Sequence, residues 1–130
     1  MAATNLAPVA DRCALTAGDF TELVPATGDT YLLSRVLHDW DDTRCHTILT
    51  RIQQAMPDHA ELLVIERLLA DTDSLAVPWD IHMLCNVGGR ERTEAHYRAM
   101  LAAAGFELTT AVPLPLDMYV LRARKVSRPG

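Results

Sequence analysis

Two side chains that can carry protons follow two apolar segments of the chain. A mostly apolar run from Tyr31 ends at His38, and a second run, Leu62-Leu63-Val64-Ile65, ends at Glu66. An amphipathic segment lies between them. This order is typical of a βαβ unit, in which the carboxyl ends of parallel strands carry the chemistry. A histidine is suited to general-base catalysis near neutral pH, and a carboxylate at its other ring nitrogen fixes the tautomer. The sequence therefore predicts a base at His38, oriented by Glu66 or by Glu91.

Other interpretations of these residues stay open at this stage. His38 and Asp39 could simply begin the following helix, and Glu66 could be a solvated strand end. His38, Asp42 and His46 are spaced by four, so on one continuous helix they could share a metal ion. The apolar run instead places His38 on a strand, away from the helical face of His46. We therefore predict no metal site.

The periodicity of the remaining chain predicts an α/β fold. A weak strand at 13–17 ends near Asp19, and the run at 31–37 is apolar enough for a strand buried on both faces. Asp39 or Asp41 is the expected N-cap of the next helix. Further predicted elements are a strand at 62–65, a short helix at 79–86, a helix capped by Thr93 and closed by Gly105, and strands at 106–112 and 118–124. The short connection between the last two strands indicates an antiparallel pair.

Composition limits the class of protein. The 130 residues suffice for one domain, and the net charge of −5 argues against nucleic acid as a partner. No apolar run approaches the roughly 20 residues of a membrane span, and the first residues do not resemble a signal peptide. Three cysteines without CxxC spacing favour a reducing compartment. We expect a cytoplasmic protein with a disordered segment or helix remnant at 1–10, a folded part at 11–125 and a tail at 126–130.

Four motifs, taken in order and spacing, resemble one family. They are Gly18-Asp19-Phe20, Leu37-His38-Asp39-Trp40-Asp41-Asp42, Val64-Ile65-Glu66-Arg67 and Gly88-Gly89-Arg90-Glu91-Arg92-Thr93. The chain from about Asp11 to Arg124 resembles the C-terminal part of the S-adenosylmethionine-dependent O-methyltransferases of the plant caffeate/flavonoid and bacterial polyketide-tailoring type. The resemblance implies a partial Rossmann-like class I methyltransferase sheet of about five strands, the last two antiparallel.

The resemblance also implies roles for individual residues. His38 is the base that deprotonates an acceptor hydroxyl, and Glu66 and Glu91 flank it. Asp19 and Phe20 contact the adenine of the cofactor, S-adenosylmethionine, and Ser34 occupies the place of a lysine that helps to hold the cofactor in some members. Met83, Asp39 and Trp40 lie beside the acceptor, a small aromatic or secondary metabolite that carries a hydroxyl.

Part of the family pattern has no counterpart in these residues. Family members begin with a dimerising helical domain, followed by two strands that carry a Gly-x-Gly-x-Gly loop. In the family strand order 3-2-1-4-5-7-6, the segment 13–17 corresponds to strand 3 and the segment 31–37 to strand 4. The latter is then left with an open edge, which favours pairing with another chain. We expect a fragment or split form of an O-methyltransferase, completed by a homodimer or a complementing chain. The alternative is an inactive remnant or an interaction module that uses the open edge.

Overall fold

The computed structural model of the protein describes residues 7–69 and 92–126. A 3₁₀ helix at Ala7–Arg12 comes first. The other elements, in chain order, are β1 (Thr30–Ser34), a 3₁₀ helix at Leu37–Asp39, α1 (Asp42–Ala55), β2 (Glu61–Leu69), β3 (Arg92–Thr93), α2 (Glu94–Ala103), β4 (Phe106–Pro113) and β5 (Met118–Lys125). The predicted helix at 79–86 lies outside the described residues.

The five strands form one mixed sheet with the order β1-β2-β5-β4, and β3 extends it beside the end of β2. Strands β1 and β2 are parallel and are joined through α1, so the predicted βαβ unit is confirmed. Strand β5 is antiparallel to both β2 and β4, as the short connection between β4 and β5 predicted. The prediction that Glu66 ends its strand is wrong, because β2 continues to Leu69. Strand β1 ends at Ser34, which is paired with Ile65, so Glu66 lies one residue beyond the carboxyl end of β1, where His38 contacts it.

Both long helices begin and end where local chemistry favours it. The Asp41 carboxylate accepts a hydrogen bond from the backbone N–H of Arg44 at 2.8 Å, and the Thr93 hydroxyl accepts one from that of His96 at 3.1 Å. Each thereby satisfies one N–H that has no partner inside its helix. Gly105 follows the end of α2 with a φ of 89°, in the left-handed region that favours glycine. The predicted caps Asp41, Thr93 and Gly105 are confirmed.

The core lies between the two helices and one face of the sheet. In β2 alternate residues are fully or almost fully buried. Cys45, Ile48, Leu49 and Ile52 form the buried stripe of α1, as their 3.6-residue spacing predicted. Glu66 belongs to the buried face of β2 although it is charged, and it is completely inaccessible to solvent. A carboxylate in this position requires hydrogen-bond donors around it.

Two predictions about the start of the sheet are wrong. Residues 13–17 form no strand and are exposed, because none of the described strands lies beside them to complete a ladder. The strand predicted at 31–37 is only Thr30–Ser34, and Leu32 on it is 58% exposed rather than buried. Among the described residues β1 pairs with β2 alone, so its other edge is open. Burial of β1 on both faces is therefore not found, since its side chains alternate between exposed and half-buried.

Within residues 7–69 and 92–126, none of the helices combines the length and the apolar character needed to cross a bilayer.

Candidate active site

The predicted base lies on a turn rather than at a strand end. After β1 the chain reverses at Arg35, which adopts a left-handed φ of 56°, and then forms the 3₁₀ helix Leu37–Asp39, called here the histidine turn. The backbone N–H of Trp40 donates to the carbonyl of Leu37 at 3.2 Å and closes this turn. His38, at its centre, is 5% exposed. The placement of His38 directly at a strand end was therefore wrong, because the chain needs four residues to turn towards Glu66.

The structure brings His38 and Glu66 into direct contact. Nδ1 of His38 lies 3.1 Å from Oε2 and 3.3 Å from Oε1 of Glu66. The backbone N–H of His38 donates to Oε1 at 3.3 Å, and Nη1 of Arg35 donates to Oε2 at 2.8 Å. These donors compensate the burial of the carboxylate. Because Glu66 accepts only, it holds the Nδ1–H tautomer of a neutral imidazole and leaves Nε2 as the atom that can accept a proton.

The second ring nitrogen of His38 faces another carboxylate. Nε2 lies 3.0 Å from Oδ1 of Asp39, whose side chain is 42% exposed. Both ring nitrogens of His38 therefore lie within hydrogen-bond distance of a carboxylate oxygen. For Nε2 to act as a base, the Asp39 carboxylate has to turn away from it. The exposure of Asp39 leaves room for that rotation.

Arg92 is a component of this site that the sequence interpretation missed. Its side chain is completely buried, and it donates to the carbonyls of Leu37 at 3.0 Å and Trp40 at 2.7 Å. Its Nε donates to Oδ1 of Asp42 at 2.9 Å, and its guanidinium lies 5.9 Å from the centre of the Tyr97 ring. Burial by itself lowers the pKa of Arg92, but its interactions with Cys45, Tyr97 and Asp42 outweigh burial and raise that pKa above its usual value. The sequence indicates only that Arg92 belongs to the Gly88–Thr93 motif, and membership of a motif does not show whether a side chain is buried.

An open cleft of about 380 Å³ lies on the other side of Trp40. Its lining residues are Gly18, Asp19, Phe20, Thr21, Trp40 and Arg44. The rings of Phe20 and Trp40 meet edge to face at 6.4 Å, and the guanidinium of Arg44 lies 5.8 Å from the centre of the Trp40 ring. The hydroxyl and the backbone N–H of Thr21 donate to Asp19 and lower the pKa of its carboxyl group. The cleft thus combines an aromatic wall with an ionised carboxylate.

The remaining predicted site residues lie either outside the cleft or outside the described part of the chain. Ser34 is exposed at the end of β1 and does not line the cleft. Glu91 and Met83 lie outside the described residues. In the described part of the chain no three His, Cys, Asp or Glu side chains are grouped as metal ligands would be. Asp42, considered above as a ligand, instead contacts Arg92 and, through Oδ2, His96 at 2.9 Å.

Cys45 gives the site a measurable pH response. Burial raises the pKa of the Cys45 thiol from 9.0 to about 11, and the thiol donates to the carbonyl of Leu37 at 3.2 Å. A pKa raised in the folded state means that the stabilisation is complete below pH 9 and is lost as the pH rises towards 11. We expect the free energy of unfolding to fall by roughly 2 kcal/mol more in the unmodified protein than in Cys45→Ser between these pH values. Urea unfolding at several pH values measures this difference.

Cys13, which is exposed, provides the matched control for that prediction. The Cys13→Ser variant should follow the unmodified protein at every pH. Parallel stability curves for Cys45→Ser and the unmodified protein would contradict the prediction.

The fold and the site define a class of protein: the part of a Rossmann-like methyltransferase sheet that carries a histidine after one strand and a carboxylate at the next. A family model described as the O-methyltransferase domain matches residues 1–107. The chain therefore belongs to the O-methyltransferase family.

Particular relatives agree with this assignment. The 3-amino-4-hydroxybenzoate 4-O-methyltransferase of Streptomyces cremeus is 47% identical over 116 residues, which are 87% of this chain and 32% of that protein. The structure of a mitomycin 7-O-methyltransferase matches with a TM-score of 0.92 and 35% identity, over 96% of this chain and 38% of that one. An O-methyltransferase from neocarzinostatin biosynthesis, in complex with S-adenosyl-L-homocysteine and 1,4-dihydroxy-2-naphthoic acid, matches with a TM-score of 0.87 and 30% identity, over 96% and 38%.

The chain spans only about a third of the length of such relatives, between 31% and 37% for the curated proteins compared.

Proposed function

We propose that this chain forms the base-bearing part of an S-adenosylmethionine-dependent O-methyltransferase that acts on a hydroxyl of a small aromatic metabolite. The observation that carries the proposal is the contact between His38 Nδ1 and the buried Glu66 carboxylate, at 3.1 Å. A histidine held in this way presents Nε2 as a proton acceptor. A phenol has a pKa near 10, so a base that removes its proton raises the concentration of the reactive oxygen nucleophile.

His38 removes the acceptor proton through Nε2, and Glu66 stabilises the imidazolium that results. Asp39 leaves Nε2 when the acceptor enters, and its carboxylate then accepts from a second polar group of the acceptor. Trp40 supplies an aromatic surface beside it. We assign Met83 to the wall of the acceptor pocket and Glu91 to the opposite side of the base, on the basis of family resemblance alone.

The cleft beside Trp40 fits one end of the cofactor. Phe20, which is 39% exposed, offers a ring on which a purine can pack, and the ionised carboxylate of Asp19 accepts from an exocyclic amine. S-adenosylmethionine, when bound, supplies the electrophilic methyl group. Asp19 and Phe20 would hold its adenine. Some family members use a lysine to help hold the cofactor, and this chain has Ser34 at that position, which cannot supply a positive charge.

Titration of the folded chain with S-adenosyl-L-homocysteine tests the cofactor part of the proposal. We expect calorimetry to detect binding by the unmodified chain and Asp19→Ala to weaken it by about tenfold, because charge-assisted hydrogen bonds are stronger than those between neutral groups. Phe20→Ala should have a similar effect, since base stacking contributes about 1–3 kcal/mol.

The control for this titration is Asp58→Ala, because Asp58 is 97% exposed and lies at the other end of α1. It should bind like the unmodified chain. Equally tight binding with alanine at positions 19 and 58 would contradict the assignment of the cleft. A folded chain that binds no S-adenosyl-L-homocysteine would contradict binding by these residues alone and would mean that the glycine-rich loop is required.

The complete reaction needs groups beyond these residues. We propose that a glycine-rich cofactor loop comes from a longer form of the protein or from a complementing chain, because a second copy of these residues would lack the loop as well. The open edge of β1, with Leu32 exposed, is the place at which such a segment would join the sheet.

A second candidate function rests on the same open edge. Leu15, Leu23 and Leu32 are 61%, 73% and 58% exposed, and a groove of about 160 Å³ between Leu23 and Leu32 is apolar. Apolar side chains beside an unpaired strand are typical of a surface that binds another chain. A stable oligomer in sedimentation experiments, together with no affinity for S-adenosyl-L-homocysteine, would favour an interaction module over a methyltransferase.

A further inference from the structure

We propose that Arg92 is a positioning residue for His38, and that it holds the histidine turn in the orientation in which the ring meets Glu66. This inference rests on the proposed function, because it concerns the same base. Arg92 binds backbone carbonyls on both sides of His38 in the chain.

The sheet fixes the position of the Arg92 backbone. Strand β3 lies parallel to β2, and Arg92 is paired with Leu68, two residues beyond Glu66. Glu66 and Leu68 belong to the same buried face of β2. The carboxylate that contacts the ring and the guanidinium that contacts the turn therefore come from neighbouring positions of one rigid sheet.

The guanidinium contacts both sides of the turn at once. Its Nη1 donates to the carbonyl of Leu37, directly before His38, and its Nη2 donates to the carbonyl of Trp40, two residues after it. A planar guanidinium fixes two acceptors relative to each other, whereas the ammonium of lysine is a point charge on a flexible stem. The distance and angle between the two carbonyls, and with them the direction of the His38 side chain, depend on this fork.

The other contacts of Arg92 hold the guanidinium itself. Asp42 accepts from Nε at 2.9 Å, and the ring of Tyr97 from α2 lies beside the guanidinium plane. Asp42 also contacts His96, which lies one residue before Tyr97. Arg92 is thus held from α1 and α2 while it binds the turn between β1 and α1. Contacts on several sides of one planar group restrict the orientations that the guanidinium can adopt.

A purely structural role for Arg92 would affect stability alone, so the test measures the His38 ring directly. Long-range ¹H–¹⁵N correlation spectra report the tautomer and the protonation of each histidine ring, and His38→Gln identifies the signals of His38 among the five histidines. We expect His38 to be in the Nδ1–H form when neutral. In Arg92→Lys, the ratio of the two tautomers should shift at least threefold towards Nε2–H, and the titration curve of the ring should move.

The matched control is Arg122→Lys. Arg122 also donates to two acceptor oxygens, those of Glu61, but through Nη2 alone and on the exposed surface of the sheet. Its replacement should leave the His38 signals unchanged. A folded Arg92→Lys protein whose His38 tautomer ratio and titration match those of the unmodified protein would overturn the proposal.

If Arg92→Lys does not fold, a measurement on the unmodified protein tests whether both Nη atoms of Arg92 are bound. A guanidinium bound at both Nη atoms rotates slowly, so separate Nη1 and Nη2 signals for Arg92 support the proposal and one averaged signal overturns it. Neither spectrum involves cofactor or acceptor. An altered His38 in Arg92→Lys of a protein that transfers no methyl group would contradict the proposed function alone. An unaltered His38 in an active enzyme would contradict the role of Arg92 alone.

Discussion

The His38→Gln variant of the catalytically complete enzyme is expected to transfer methyl groups about 10²–10⁴-fold more slowly, the usual contribution of a general base. Glutamine has a similar size and can still bind the Glu66 carboxylate through its amide N–H, but it cannot accept the acceptor proton. The assay uses a chimera in which this chain replaces the matching third of the Streptomyces cremeus 3-amino-4-hydroxybenzoate 4-O-methyltransferase, so that the acceptor is the one named for that relative. The rate constant kcat should fall while the KM for S-adenosylmethionine changes little.

The control for this prediction is His59→Gln in the same chimera. The His59 side chain is 69% exposed and contacts Asp29 at 2.8 Å, far from any group placed in the site. Its replacement should leave kcat within a factor of two or so, as expected of a surface substitution. Equal activities of the two variants would contradict a base at His38. A fall in both would indicate that the chimera responds to any change in this part of the chain.

The sequence predicted the order of elements because each of them depends on local patterns. Apolar runs and 3.6-residue spacing are properties of neighbouring residues, and the caps Asp41, Thr93 and Gly105 act within one turn of their own helix. The proximity of His38 and Glu66 was predicted from the parallel βαβ unit, but the predicted placement of both residues at strand ends was wrong: His38 lies on the histidine turn, and Glu66 lies inside β2.

Features that depend on distant groups could not be predicted. Residues 13–17 look like a strand in isolation, but a strand also needs a partner, and the described residues offer none. The short β1 and the left-handed Arg35 depend on how the chain must turn to reach Glu66. The burial of Arg92 depends on three acceptors separated from it by 50 or more residues. An arginine in a motif of polar residues reads as a surface residue until these acceptors are known.

Glu66→Ala is expected to lower the free energy of unfolding by about 3 kcal/mol, because breaking a buried ion pair leaves its partners uncompensated. Glu66 is fully buried and accepts from Arg35 and from the backbone of His38, so its removal leaves the Arg35 guanidinium, 23% exposed, and the His38 N–H without this acceptor. The loss should also appear in the His38 ring, which no longer has a carboxylate at Nδ1. Urea unfolding followed by circular dichroism measures the first effect, and ¹⁵N spectra of the histidine rings measure the second.

Strand β2 supplies its own control in Glu61, five positions earlier. Glu61 also contacts an arginine, Arg122, at 2.9 Å, but the two side chains are 22% and 45% exposed. Exposed pairs of this kind contribute about 0–1 kcal/mol to stability. Glu61→Ala should therefore lower the free energy of unfolding much less than Glu66→Ala does, and the slope of that free energy against urea concentration should be the same in both variants. The comparison keeps the residue type, the strand and the arginine partner, and changes burial together with the contacts to His38. Equal losses of stability would mean that Glu66 contributes no more to the free energy of unfolding than a surface glutamate does. The proposal that Glu66 holds the His38 ring in place would then be contradicted.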